Sequence, residues 1–220
     1  MRFFVIMPII HTTYYAHKEE AWNVITHLIG TALSVAALVL LIVFSSLDGN
    51  AWHIVSFTIF GSSLVVLYSA STIYHAVKKK SLRRKMNVFD HSAIYVLIAG
   101  TYTPYCLVTL NGAMGWVLFG ITWGIAVIGI ILKVFFTGRY NTISTISYLL
   151  MGWVAIIAAK PLIENLQSEA LFYLLLGGVF YTIGAVIFAF DKIPYNHAIF
   201  HVFVLLGSVM HFISVFFYLI

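Results

Sequence analysis

Seven apolar stretches, each close to the roughly 20 residues a membrane-spanning helix needs, dominate the chain. They cover residues 22–44, 52–76, 88–110, 114–136, 143–159, 170–190 and 197–220. The breaks between them are short and polar: SSLDGN, KKKSLRRK, NG, TGRYN, KPLIENLQSE and DKIPYN. No alternation of period two runs through the stretches, so membrane β-strands are excluded. The pattern predicts an all-α integral membrane protein, a bundle of seven transmembrane helices whose short links make neighbours antiparallel. Pro104 falls inside the third stretch, where its missing N–H should kink the helix. Trp22, Trp52, Trp116, Tyr140, Tyr195 and Tyr218 sit near span ends, as interfacial aromatics do. Residues 22–220 read as one transmembrane domain and residues 1–21 as a short cytoplasmic lead-in. The apolar run in the lead-in is interrupted by Pro8 and followed by no small-residue cleavage site, so it does not read as a removed signal.

Composition closes off the other classes. Hydrophobic residues make up 62% of the chain and charged residues 9%, whereas a soluble domain carries roughly a quarter charged residues. A soluble enzyme, a disordered linker and a nucleic-acid-binding module are excluded. Cys106 is the single cysteine, which leaves no intrachain disulfide. It reads as a small apolar filler within the third span. The charge is distributed unevenly. With the N-terminus cytoplasmic, eleven of the twelve Lys and Arg residues lie inside and only Lys160 lies outside, which orients the bundle N-terminus in, C-terminus out. The run KKKSLRRK reads as a topology signal on a cytoplasmic loop. A patch for anionic lipid is the weaker alternative.

Ionisable groups inside a membrane are costly and mark candidate sites. In this topology His75 closes the second span, Asp90 lies a turn into the third, and His197 and His201 open the seventh. All four fall in the cytoplasmic leaflet although they come from three separate places in sequence. His197 and His201 are four residues apart and project from one helix face, within reach of one metal. Ser71 and His75 repeat that spacing and set a hydroxyl one turn deeper. Three histidines with an open fourth position are the usual arrangement of a catalytic zinc site, and Asp90 would orient a water there. Glu20, Asn23 and His27 form one polar face of the first span, either an entrance or a cap on the bundle. His27, His53, His91 and His211 read as interhelical hydrogen-bond partners.

The segments EEAWNVITHLIG, SASTIYH, FDHSAIYVLIAGTYTPY and NHAIFHVFVLLGSVMHF carry a resemblance that covers the chain from about residue 17 to its end. Together they resemble the bacterial hemolysin III proteins of the PAQR family, which also holds the adiponectin and progestin receptors. That family falls in a wider superfamily of membrane hydrolases that includes alkaline ceramidases. The resemblance implies a seven-helix bundle with a zinc ion near its cytoplasmic face. His75, His197 and His201 would be the ligands, Asp90 would hold the water, and Ser71 would stand beside the site. With residues 1–21 alone ahead of the first span, a bacterial inner-membrane protein is expected rather than a hormone receptor.

Three functions follow as expectations. The first is a zinc-dependent hydrolase of a lipid amide or ester, with Asp90 as general base and then acid and Ser71 donating to the oxyanion. The second is a sensor of membrane lipid whose zinc is structural. The third is a cytolytic protein, ranked last because no charged stripe runs through any span. A membrane lipid is the expected substrate or ligand, and nucleic acid is not expected.

Overall fold

The computed structural model of the protein describes residues 11–220. The first ten residues, with Arg2 and the run around Pro8, lie outside the described residues. Every regular element among the described residues is helical: α1 (His17–Asp48), α2 (Ala51–Ala76), α3 (Lys80–Pro104), α4 (Ala113–Phe136), α5 (Asn141–Gly152), α6 (Ala159–Asn165), α7 (Ser168–Phe188) and α8 (Asn196–Tyr218). A π-helical turn, Tyr105–Thr109, extends α3, and a 3-10 turn, Val154–Ala158, joins α5 to α6. Seven of the resulting segments are long and apolar enough to cross a membrane, with α5 to α6 counting as one. The outward faces of α1, α4 and α7 carry exposed Ile, Leu, Val and Phe side chains, as expected where lipid is the solvent.

Two segments depart from the expected outlines, and both differences trace to backbone hydrogen bonds. The fifth span runs from Asn141 to Asn165, longer than the apolar stretch 143–159, because residues of the break KPLIEN continue as α6. It is broken at Trp153. In a membrane interior the freed backbone groups need partners, and Tyr102 supplies them. Its hydroxyl donates to Gly152 O at 2.6 Å and accepts from Ala155 N at 2.8 Å. Trp153 Nε1 donates to Thr182 Oγ1 on α7 at 3.0 Å and pins the break. At Pro104 the helix widens rather than simply bending. Beyond the proline the ladder skips to a five-residue step, Leu110 N donating to Tyr105 O at 2.9 Å, which is the π-type bulge that absorbs a missing donor.

The run KKKSLRRK is only partly a loop. Helix α3 begins at Lys80, so Ser81 to Lys85 are helical, and Arg83 turns inward until it is 3% exposed. Because consecutive spans alternate in direction, α1, α3 and α8 begin at the same end of the bundle, and α2 ends there. That shared end holds the polar residues discussed next. The third span is the most enclosed of the seven, so Asp90 on it lies within the bundle.

Candidate metal centre

His75, His197 and His201 are all buried. Each offers a ring nitrogen, and the three nitrogens lie within 4.8 Å of one another. His197 and His201 sit one turn apart at the start of α8, and the last turn of α2 carries His75 to them. Their spacing of four residues stacks the two imidazoles along one helix face, with ring centroids 4.4 Å apart. Among the described residues this is the group of His, Cys, Asp and Glu side chains that could hold a metal ion.

Hydrogen bonds around the rings assign the tautomers. The Glu20 carboxylate on α1 accepts from His75 Nδ1 at 2.7 Å. Thr26 has one hydroxyl proton, and the carbonyls of Trp22 (2.8 Å) and Asn23 (3.2 Å) take it. In its 3.3 Å contact with His201 Nδ1 the Thr26 oxygen therefore accepts, which puts that ring's proton on Nδ1. His75 and His201 are both left with a lone pair on Nε2. His75 Nε2 lies 3.1 Å from His197 Nε2. Nitrogens bound at about 2.0–2.1 Å to a tetrahedral zinc lie about 3.3 Å apart, so this pair matches the spacing such an ion needs, and the third imidazole has a nitrogen within 4.8 Å of both. His197 Nδ1 is buried without a hydrogen-bond partner.

The surrounding residues form a second layer. Glu20 also pairs with Arg83 Nη2, and the guanidinium donates to His75 O (3.3 Å) and Thr13 O (3.2 Å). It lies between the rings of Tyr14 and Tyr74, at 4.8 and 4.7 Å from their centroids. Arg83 thus holds the carboxylate that holds the histidine, a chain of the kind that orients metal-binding imidazoles. Tyr15 lies flat on His197, with centroids 4.6 Å apart and planes 19° apart. Burial, reinforced by Tyr74 and the carboxylates of Glu19 and Glu20, holds the Tyr15 hydroxyl above its ordinary pKa, so the ring covers His197 as a neutral group.

Asp90 and Ser71 face each other, are buried, and line one cavity together with His197 and His201. Asp90 is not part of the converging histidine group. The cavity measures about 290 Å³. From the histidines it extends past Leu97 of α3, Leu118 of α4, Leu162 of α6 and Leu174 of α7, a mostly apolar space.

The polar face of α1 joins this site rather than merely capping the bundle. Glu20 binds His75, Asn23 Nδ2 lies 3.4 Å from His75 Nδ1, and His27 stacks on His201 with centroids 3.5 Å apart. The four histidines expected to bridge helices divide. His91 Nδ1 meets Lys133 Nζ of α4 at 3.5 Å. His53 instead accepts from Asn50 N and completes the cap of its own helix. His27 has no partner on either ring nitrogen, and His211 has none on Nδ1. The roles of Thr26, Arg83 and Tyr15 had no signal in the sequence, since Arg83 is hidden in a basic run. Glu20 carried one, being an acidic residue on the same face as Asn23 and His27.

Fold and site define a seven-helix membrane protein with three histidines converging between its second and last spans. The chain belongs to the haemolysin-III-related family, whose profile matches residues 15–212. It is 48% identical over 203 residues to "Hemolysin-3" of Bacillus cereus, covering 92% of this chain and 93% of that protein. It is 50% identical over 201 residues to "Hemolysin-3 homolog" of Bacillus subtilis (strain 168), covering 91% and 94%. Against "Monocyte to macrophage differentiation factor" of Homo sapiens the identity is 30% over 209 residues, 91% of this chain and 84% of that protein. No solved structure matches the chain.

Proposed function

We propose that this protein is a zinc-dependent hydrolase of a lipid amide or ester in the inner leaflet of a bacterial inner membrane. The observation that carries the reading is a group of three buried, converging imidazoles, two of which, His197 and His201, line a mostly apolar cavity. Neutral imidazoles suit zinc among the common divalent ions. Zinc bound there supplies Lewis acidity and activation of water near neutral pH. Glu20 and Thr26 hold the Nδ1 protons of His75 and His201, so the Nε2 lone pairs would be free to hold the ion. Asp90 takes the proton from the attacking water and passes it to the leaving nitrogen or oxygen. Ser71 orients the Asp90 carboxyl, and a contact from its single proton to an oxyanion requires the hydroxyl to turn. The apolar cavity walls take the acyl chain. The N-in orientation rests on the Lys and Arg distribution and puts the site at the depth of inner-leaflet carbonyls.

Metal analysis of purified protein, paired with a screen of lipid amides and esters, tests the reading. Fatty acid release should follow zinc content. Asp90→Asn should keep zinc at saturating metal and lose release. A wild type that holds zinc and turns over no lipid would favour a sensor with a structural ion. That second reading draws on Tyr15, which covers His197. The name of the Bacillus cereus relative attaches lysis of cells to that protein. For this chain cytolysis is the least supported function, since its intramembrane charges gather at one end.

A further inference from the structure

The cavity has a second polar end that the proposed chemistry does not use. Helix α8 carries His211 ten residues beyond His201, about 15 Å deeper along the axis. His211 lines the cavity and is 5% exposed, and its Nδ1 has no hydrogen-bond partner. The edge of the imidazole lies against α7, where Gly177 leaves room. A Cβ at that glycine would stand 2.7 Å from His211 Nε2. Tyr181 covers the ring at 5.4 Å between centroids.

Tyr105 reaches the same region from the π-helical turn. Its hydroxyl is buried without a partner, and its side chain lines the cavity. Ser214, one turn beyond His211, faces that hydroxyl and donates its own proton to Ala170 O at 2.8 Å, which leaves the Tyr105 oxygen without a donor. Other polar groups nearby are satisfied. Tyr68 donates to Ser208 Oγ at 2.7 Å, and Tyr181 bonds the same oxygen at 2.9 Å. The unmet capacity is therefore confined to His211 and Tyr105, each able to donate or accept. An apolar chain would leave both unsatisfied, at the cost that buried unpaired groups carry. A hydroxyl, which donates and accepts in turn, matches the pair.

We propose that His211 and Tyr105 form a subsite for a hydroxyl borne partway along the chain of a long-chain lipid, remote from the carbonyl at the histidine centre. The inference rests on the lipid cavity of the proposed function and not on hydrolysis. It is tested by binding to purified protein in detergent, read by quenching of tryptophan fluorescence. The probes are stearic acid, stearic acid with a mid-chain hydroxyl, and stearic acid hydroxylated beside the carboxyl. Wild type should bind the mid-chain hydroxy acid about five- to thirtyfold more tightly than the other two, as one to two net hydrogen bonds predict. His211→Phe combined with Tyr105→Phe should bind all three alike, and His211→Gln, which keeps a donor and an acceptor, should retain the preference. Equal binding of the three probes by wild type overturns the subsite and leaves the hydrolase reading standing. Persistence of the preference in the double variant overturns it as well. Binding of no probe by wild type overturns the lipid cavity and the subsite with it.

Discussion

Glu20 and His75, 55 positions apart in sequence, are joined by a 2.7 Å hydrogen bond from His75 Nδ1 to the carboxylate. The bond ties α1 to α2 at the mouth of the site and points His75 Nε2 at His197. Its other carboxylate oxygen pairs with buried Arg83. One carboxylate therefore both orients a candidate metal ligand and neutralises a buried cation.

Those two roles separate in variants. Glu20→Ala leaves Arg83 buried without its anion and should destabilise the protein by about 3–5 kcal/mol. Adding Arg83→Met should restore most of that stability, because an uncompensated charge no longer remains. Zinc affinity should stay about 10- to 100-fold below wild type in the double variant, as loss of a carboxylate behind a ligating histidine predicts. Thermal melts and zinc titrations in detergent read the two effects independently. Full metal affinity in the double variant would remove Glu20 from the site.

Metal content follows the histidines. Purified protein should carry about one zinc per chain, and His201→Ala should lose most of it. His53→Ala should keep it, at a stability cost of about 1 kcal/mol for the weakened cap of α2. Elemental analysis of the three proteins decides this, and equal zinc in wild type and His201→Ala would sink the ligand set.

Chelation should lower the melting temperature of wild type, because an ion bridging α2 and α8 stabilises only the folded chain. At free zinc about 100-fold above Kd the linkage amounts to about 2.7 kcal/mol. The same chelator should leave the melt of His201→Ala unchanged. A shift of equal size in both proteins would place the stabilising ion elsewhere.

The break in the fifth span gives a prediction independent of metal. Tyr102→Phe removes the hydroxyl that serves Gly152 O and Ala155 N and should cost about 1–3 kcal/mol for buried groups left unpaired. Zinc content should not change. A variant as stable as wild type would show that another group, or water, satisfies the break.

Topology is checked by fusion. A reporter active only in the cytoplasm should work when fused after Lys80 and stay silent after Ile220. The reverse pattern would move the histidines to the outer leaflet and undo the inner-leaflet substrate.

Seven spans, the lack of strands among the described residues and the grouping of His75, His197 and His201 were all legible in the chain. Each follows from local rules: a run of apolar residues must span lipid, and residues four apart on a helix share a face. The same rules read Glu20, Asn23 and His27 as one polar face. They were silent on what that face meets, because helix rotation is set by packing against neighbours. Only the tertiary structure decided that Glu20 binds His75, that Arg83 leaves the basic run to turn inward, and that Tyr15 covers His197. It also decided how the chain tolerates Pro104 and the break at Trp153, through a widened turn and one tyrosine hydroxyl contributed by a different helix. Periodicity records which residues are neighbours along one helix. Ligand geometry and hydrogen-bond satisfaction depend on neighbours from other helices, and the packed bundle alone brings those together.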